Sequence, residues 1–172
     1  APFYLLIGRI FSMFASDVTQ VAWWVNLLSA LCSSLTVLFL FWSITILARR
    51  ILVKEGEEAV GRGNLLLIMG SGAVGALAYT FTDSAWFSAV EAEVYAMSSF
   101  FTAIVFWAML RWESKVGQAL SDKWLILIAY LIGLSIGAHL LNLVAIPALA
   151  FIYYFRLYKP TFWGGVVAFL IS

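Results

Sequence analysis

Charge is what this sequence has least of. Only 11% of its 172 residues are Asp, Glu, Lys or Arg, and no Lys or Arg stands between Met69 and Leu110. A water-soluble domain needs a charged shell, and 64% hydrophobic residues is more than a chain of this length can bury in a soluble core. Soluble classes are thereby excluded. The one cysteine, Cys32, has no internal disulfide partner and reads as a small packing residue. The one histidine, His139, stands among scattered carboxylates without ligand spacing, so neither a metal nor another cofactor is expected. There is no basic patch for nucleic acid, no nucleophile elbow, no Cys–His arrangement and no phosphate loop.

What the chain does have is apolar runs of membrane length. Those at about 21–48, 65–82, 96–110 and 124–155 read as spans, and 162–172 as the start of another. The expected fold is therefore all-α, a polytopic transmembrane helical bundle forming one domain over 1–172. The expected location is a multi-pass integral membrane protein of a bacterial inner membrane. The 124–155 run is long for one span and short for two, so it is one long helix or a hairpin turning near "IGAHLLN". In residues 1–15, Ile7, Ile10, Phe11 and Phe14 recur at helical spacing with Arg9 and Ser12 opposite, as in a helix lying on the membrane surface. The chain opens without an initiator Met and stops inside an apolar run, which reads as a window of a longer protein.

Charge distribution gives sidedness. Connectors rich in Lys and Arg resist translocation, so 49–64 and 111–123 are expected in the cytoplasm. The segment holding Asp83, Glu91 and Glu93 then falls on the noncytoplasmic face, together with Arg9. A hairpin at 124–155 would also put Arg156 and Lys159 inside, which favours it over a single helix.

"GSGAVG", Gly70 to Gly75, matches the dinucleotide fingerprint in letters but lies inside an apolar span. Close helix packing through Gly72 and Ala76 is the better reading, and the Gly133 and Gly137 pair reads the same way. On a continuous helix Ser88, Glu91 and Tyr95 would share a face, with Glu93 roughly 200° away from Glu91. The bland alternative is a solvated loop. Trp86, Phe87, Val90 and Val94 make the segment look embedded, where ionisable groups are costly and so suggest a task. His139 and Asn142 share a helical face. His139 is a hydrogen-bonded packing residue, or it joins Arg9, Glu91, Glu93 and Tyr95 in a pocket that binds a phosphate and manages a proton.

Four stretches carry a resemblance: "APFYLLIGRIF", "VAWWVNLLSAL", "GALAYTFTDSAWFSAVEAEVYAMSSFF" and "LIGLSIGAHLLNLVAIPALA". In the same order they resemble a large family of polytopic membrane proteins long described as a domain of unknown function. That family is similar to the protein O-mannosyltransferases and other glycosyltransferases of the GT-C class. The resemblance implies the early core of a GT-C-like enzyme, taking sugar from a polyprenyl-phosphate carrier to a protein Ser/Thr or other, glycan, hydroxyl, among membrane lipids. It also implies that the principal base is an acid of an Asp-x-Gly-Glu-Phe segment upstream of His-Pro-Pro-Gly, neither of which this sequence contains. Glu91 and Glu93 are then expected in supporting catalytic roles, and Arg9, Tyr4, Asp83, Tyr95, His139 and Asn142 in substrate binding. A transporter or lipid flippase, or a structural subunit without chemistry, are the alternatives. Transporters place polar groups near the midplane, whereas these acids sit at one end of the spans.

Overall fold

A computed structural model of the protein describes residues 1–53 and 60–171. Among these, helices follow one another with no strand: α1 (Pro2–Ser12), α2 (Val21–Leu52), α3 (Arg62–Thr80), α4 (Asp83–Val90), α5 (Val94–Glu113), α6 (Lys123–Ala138), α7 (Ile146–Leu157) and α8 (Phe162–Ile171). Short 3-10 turns at Val18–Gln20 and Leu140–Ala145 lead into α2 and α7. The fold is the all-α helical bundle expected from composition. Four stretches, Val18–Leu52, Arg62–Thr80, Val94–Glu113 and Leu140–Leu157, are long and apolar enough to cross a membrane. Part of the basic connector expected at 49–64, including Lys54, lies outside the described residues.

α5 is the axis. Met97, Phe101, Val105, Ala108, Met109 and Trp112 are each at most 4% exposed, so this helix is covered around most of its circumference. α2 runs beside it in the same direction: Phe39 lies 6.0 Å from Phe100 and 5.1 Å from Trp107, ring centre to ring centre, and further along Arg50 pairs with Glu113. α3 returns along α2. Asn64 Nδ2 donates to the Leu52 carbonyl at 3.2 Å, and Gly72 and Gly75 bring α3 against Phe41, Ile44 and Thr45. Gly70, by contrast, faces open space.

The chain from Trp124 to Phe155 forms a hairpin. Trp124 meets Trp107 at 5.7 Å and Tyr153 stacks on Trp112 at 5.3 Å, so α6 begins and α7 ends at one end of α5. Asn142, in the turn between them, reaches Ser98 at the other end of α5. The reversal has a local cause: His139, in extended backbone, accepts the Leu141 N–H on Nδ1 at 3.0 Å, and Pro147 then starts α7 where its missing N–H costs nothing.

The structure differs from expectation in three local respects, the first being that His139, in extended backbone, and Asn142, in the 3-10 turn, do not share a helical face. α1 turns Phe3, Tyr4, Ile7 and Phe11 to the core, whereas Ile10 and Phe14 are 45% and 62% exposed. The buried face is thus rotated from the one read in the sequence, because Phe3 has a partner in Gly137 of α6 and Phe101 of α5. Glu91 and Glu93 lie on no helix: both have extended backbone in the break between α4 and α5, so the shared face of Ser88, Glu91 and Tyr95 does not form.

Candidate functional site

The acids lie at the end of α5 opposite the Arg50–Glu113 ion pair. Twenty residues of helix separate Glu93, which precedes α5, from Glu113, at its last turn. At 1.5 Å per residue that is about 30 Å, the thickness of a hydrocarbon core. α4, capped by the Thr82 hydroxyl on the Ala85 N–H, leads into the break and exposes Trp86 and Phe87 by 62% and 60%. The Glu93 N–H donates to the Glu91 carbonyl at 2.9 Å, which holds the two acids in a tight kink. Their carboxylates are exposed and accept no hydrogen bond among the described residues.

Around this kink the fold gathers further polar groups. Tyr95, in the first turn of α5, packs on the His139 ring at 5.5 Å. Because Nδ1 of His139 already accepts the Leu141 N–H, the ring carries its proton on Nε2 and offers a donor there. A role for doubly protonated His139 would require giving up that bond. Behind it, Asn142 is buried, and its side-chain oxygen accepts from Ser98, at 3.3 Å, and from Thr102. Its amide Nδ2 is shielded from solvent without a partner among the described residues.

Tyr4 enters from α1. Its hydroxyl and that of Ser29, on α2, are both buried, and neither makes a hydrogen bond among the described residues. Burial pushes the Tyr4 phenol above its ordinary range; the Ser29 hydroxyl opposes this, and the ionised forms of Cys32 and Glu93 add to the rise.

Two candidates are less engaged. Arg9 is exposed and, among the described residues, donates only to Ser12, at 3.3 Å, with no ion pair to Asp83, Glu91 or Glu93. Asp83 is exposed in the first turn of α4, where a carboxylate complements the helix dipole without any further task. Sequence reasoning did not single out Ser98 and Thr102, and it read Ser29 only as a hydroxyl able to bond the backbone or a neighbouring helix, not as part of the site. The signal for Ser98 and Thr102 was their spacing of four residues, which puts both hydroxyls on one face of α5. Ser29 had no such signal, since a hydroxyl of α2 can equally return to a carbonyl one turn back, as those of Ser34, Thr36 and Ser43 do.

Two clefts lie elsewhere. One of about 710 Å³ between α5, α6, α7 and α8 is lined by apolar residues such as Ile128, Leu149 and Val167, with Tyr153, Tyr154 and Tyr158 among them. Another of about 570 Å³ lies between α7 and α8. Neither includes any of the acids, and no group of three or more potential metal ligands occurs among the described residues.

No curated protein and no solved structure matches the chain. A family model does, that of the protein O-mannosyl-transferase TMEM260 N-terminal domain, and it covers residues 1–162. The match takes in the acidic kink, the His139 turn and every helix that packs on α5, and the chain belongs to this family of membrane-embedded transferase domains.

Proposed function

We propose that the chain forms part of a membrane glycosyltransferase that moves a sugar, mannose by the family's name, from a polyprenyl-phosphate carrier to a protein hydroxyl on the noncytoplasmic face. The observation that carries this reading is the kink at Glu91 and Glu93. Two exposed carboxylates, without partners among the described residues, lie at the end of the bundle where Tyr95 packs on His139, in a chain of a transferase family. Sugars are recognised by such groups: carboxylates accept from vicinal hydroxyls, and aromatic rings cover the apolar face of the pyranose.

In the transfer, the acceptor oxygen attacks the anomeric carbon, the bond from that carbon to the phosphate oxygen breaks, and the acceptor proton passes to a base. The resemblance assigns that base to an upstream acid. Glu93 and Glu91 hold sugar hydroxyls, and the Nε2–H of His139 donates to the departing phosphate, where negative charge builds. Membrane embedding suits a donor whose isoprenoid tail stays in the bilayer.

The test uses the full-length protein in membranes, supplied with polyprenyl-phosphate-linked mannose and a Ser/Thr peptide. Glu93→Gln is expected to lower transfer about ten-fold or more at unchanged expression, in keeping with loss of one charge-assisted contact. Wild-type rates from both Glu91→Gln and Glu93→Gln would take these residues out of the site.

A further inference from the structure

The other end of the bundle holds an arrangement that sugar transfer does not use. Arg111, in the last turn of α5, and Lys115, just beyond it, lie over the same indole, with the guanidinium carbon 6.0 Å and the ammonium nitrogen 5.5 Å from the Trp124 ring centre. Both side chains are half-buried, and Nε of Arg111 is shielded from solvent with no hydrogen-bond partner among the described residues. Two cations held on one ring repel each other, and the ring quadrupole offsets that only in part. The nearest carboxylate in sequence, Glu113, is engaged by Arg50, and among the described residues no acid pairs with Arg111 or Lys115. A phosphate resolves both problems at once, since its oxygens accept from guanidinium and ammonium together.

We propose that Arg111 and Lys115 bind the phosphate of an anionic lipid headgroup in the leaflet at this end of the bundle. The surroundings favour a lipid over a free ion. Trp107 and Trp124 meet there at 5.7 Å, and paired indoles at the end of a span mark headgroup depth. The connector at 114–122 turns through two left-handed residues, Gly117 at φ 87° and Leu120 at φ 68°. A leucine rarely adopts that conformation, and this one is 68% exposed, an apolar side chain held out from the connector that carries Lys115. An acyl region beside a phosphate is the environment that accommodates both. This site needs no assumption about the transfer reaction.

The test is lipid retention by the full-length protein, reconstituted in equimolar phosphatidylglycerol and phosphatidylcholine, extracted mildly and read by native mass spectrometry. Phosphatidylglycerol is expected to be retained in preference to phosphatidylcholine. Lys115→Gln should weaken that retention about five-fold and Arg111→Gln with Lys115→Gln about twenty-fold, since each removes one charge-assisted contact to the bound phosphate. The charge-matched control Arg49→Gln with Lys123→Gln, both exposed residues, should leave it unchanged. The single Lys115 variant, at a half-buried position outside the helix, keeps the test valid if the double variant unfolds. Equal retention of the two lipids, unchanged retention in the Lys115 variant, or displacement of the lipid by millimolar inorganic phosphate would overturn the assignment.

Discussion

Tyr4 shows how one side chain links packing to charge at the acidic end. Its ring belongs to the core, yet its hydroxyl lies with Ser29 and within the influence of Glu93. Burial raises its pKa above the ordinary phenol value of 10.0, so the folded state holds the proton more tightly than the unfolded chain does. The sign follows. The contribution of a buried neutral phenol is fully present below pH 10.0 and is lost as pH climbs through the raised folded value. Hydrogen exchange of the α1 amides should therefore accelerate as pH rises above 10.0, beyond the intrinsic base catalysis of exchange. Tyr4→Phe should remove that excess while leaving exchange at neutral pH close to wild type. An excess that survives in Tyr4→Phe would show that another group governs α1.

At the scale of elements, the α2–α3 pair rests on small residues. A Cβ added at Gly72 would stand 2.6 Å from Cγ2 of Thr45 and 3.0 Å from the Phe41 ring, so any side chain there must displace Thr45 and Phe41 or the helices that carry them. Gly72→Leu is expected to destabilise the bundle by about 1–3 kcal/mol, as overpacking does, measured by unfolding in mixed micelles. Gly70→Ala, with nothing within 4 Å, should be neutral or slightly stabilising through helix propensity. The glycines of "GSGAVG" thus divide by the face they occupy, which the sequence suggested through Gly72 and Ala76. The all-α architecture was legible because hydropathy in a membrane protein reports helices directly. The kink at Glu91 and Glu93 was not. Neither proline nor glycine marks it, and Glu, Ala and Val at 91–94 read equally well as continuous helix. The turn at His139 was half visible. Its position in the apolar run suggested a reversal, but its cap on Leu141 depends on backbone geometry that no pattern of residue types encodes. The role of Ser29 stayed open for a related reason, since whether a hydroxyl bonds its own helix or faces a neighbour is decided by tertiary packing.

For the whole molecule, orientation in the membrane decides whether the acidic kink can act. The contacts order the basic residues without reference to any membrane. Arg50 touches Glu113, Arg111 and Lys115 lie over Trp124, and Arg156 follows Tyr153, which stacks on Trp112. All gather at one end of α5, whereas Asp83, Glu91 and Glu93 gather at the other, with Arg9 as the basic residue placed beyond α2's first turns. A bundle polarised in this way orients by its positive end, because translocating several Lys and Arg residues in short loops is the costlier choice. Single cysteines introduced at Asp83 and Trp86 should accordingly react with an impermeant maleimide added to intact cells. A cysteine at Gln118, on the α5–α6 connector, should react only after permeabilisation, while Cys32, 5% exposed, stays silent in both. The reverse pattern would put Arg50 and Arg111 outside. The kink would then face the cytoplasm, and the noncytoplasmic site proposed for sugar transfer would be overturned even with every side chain correctly placed.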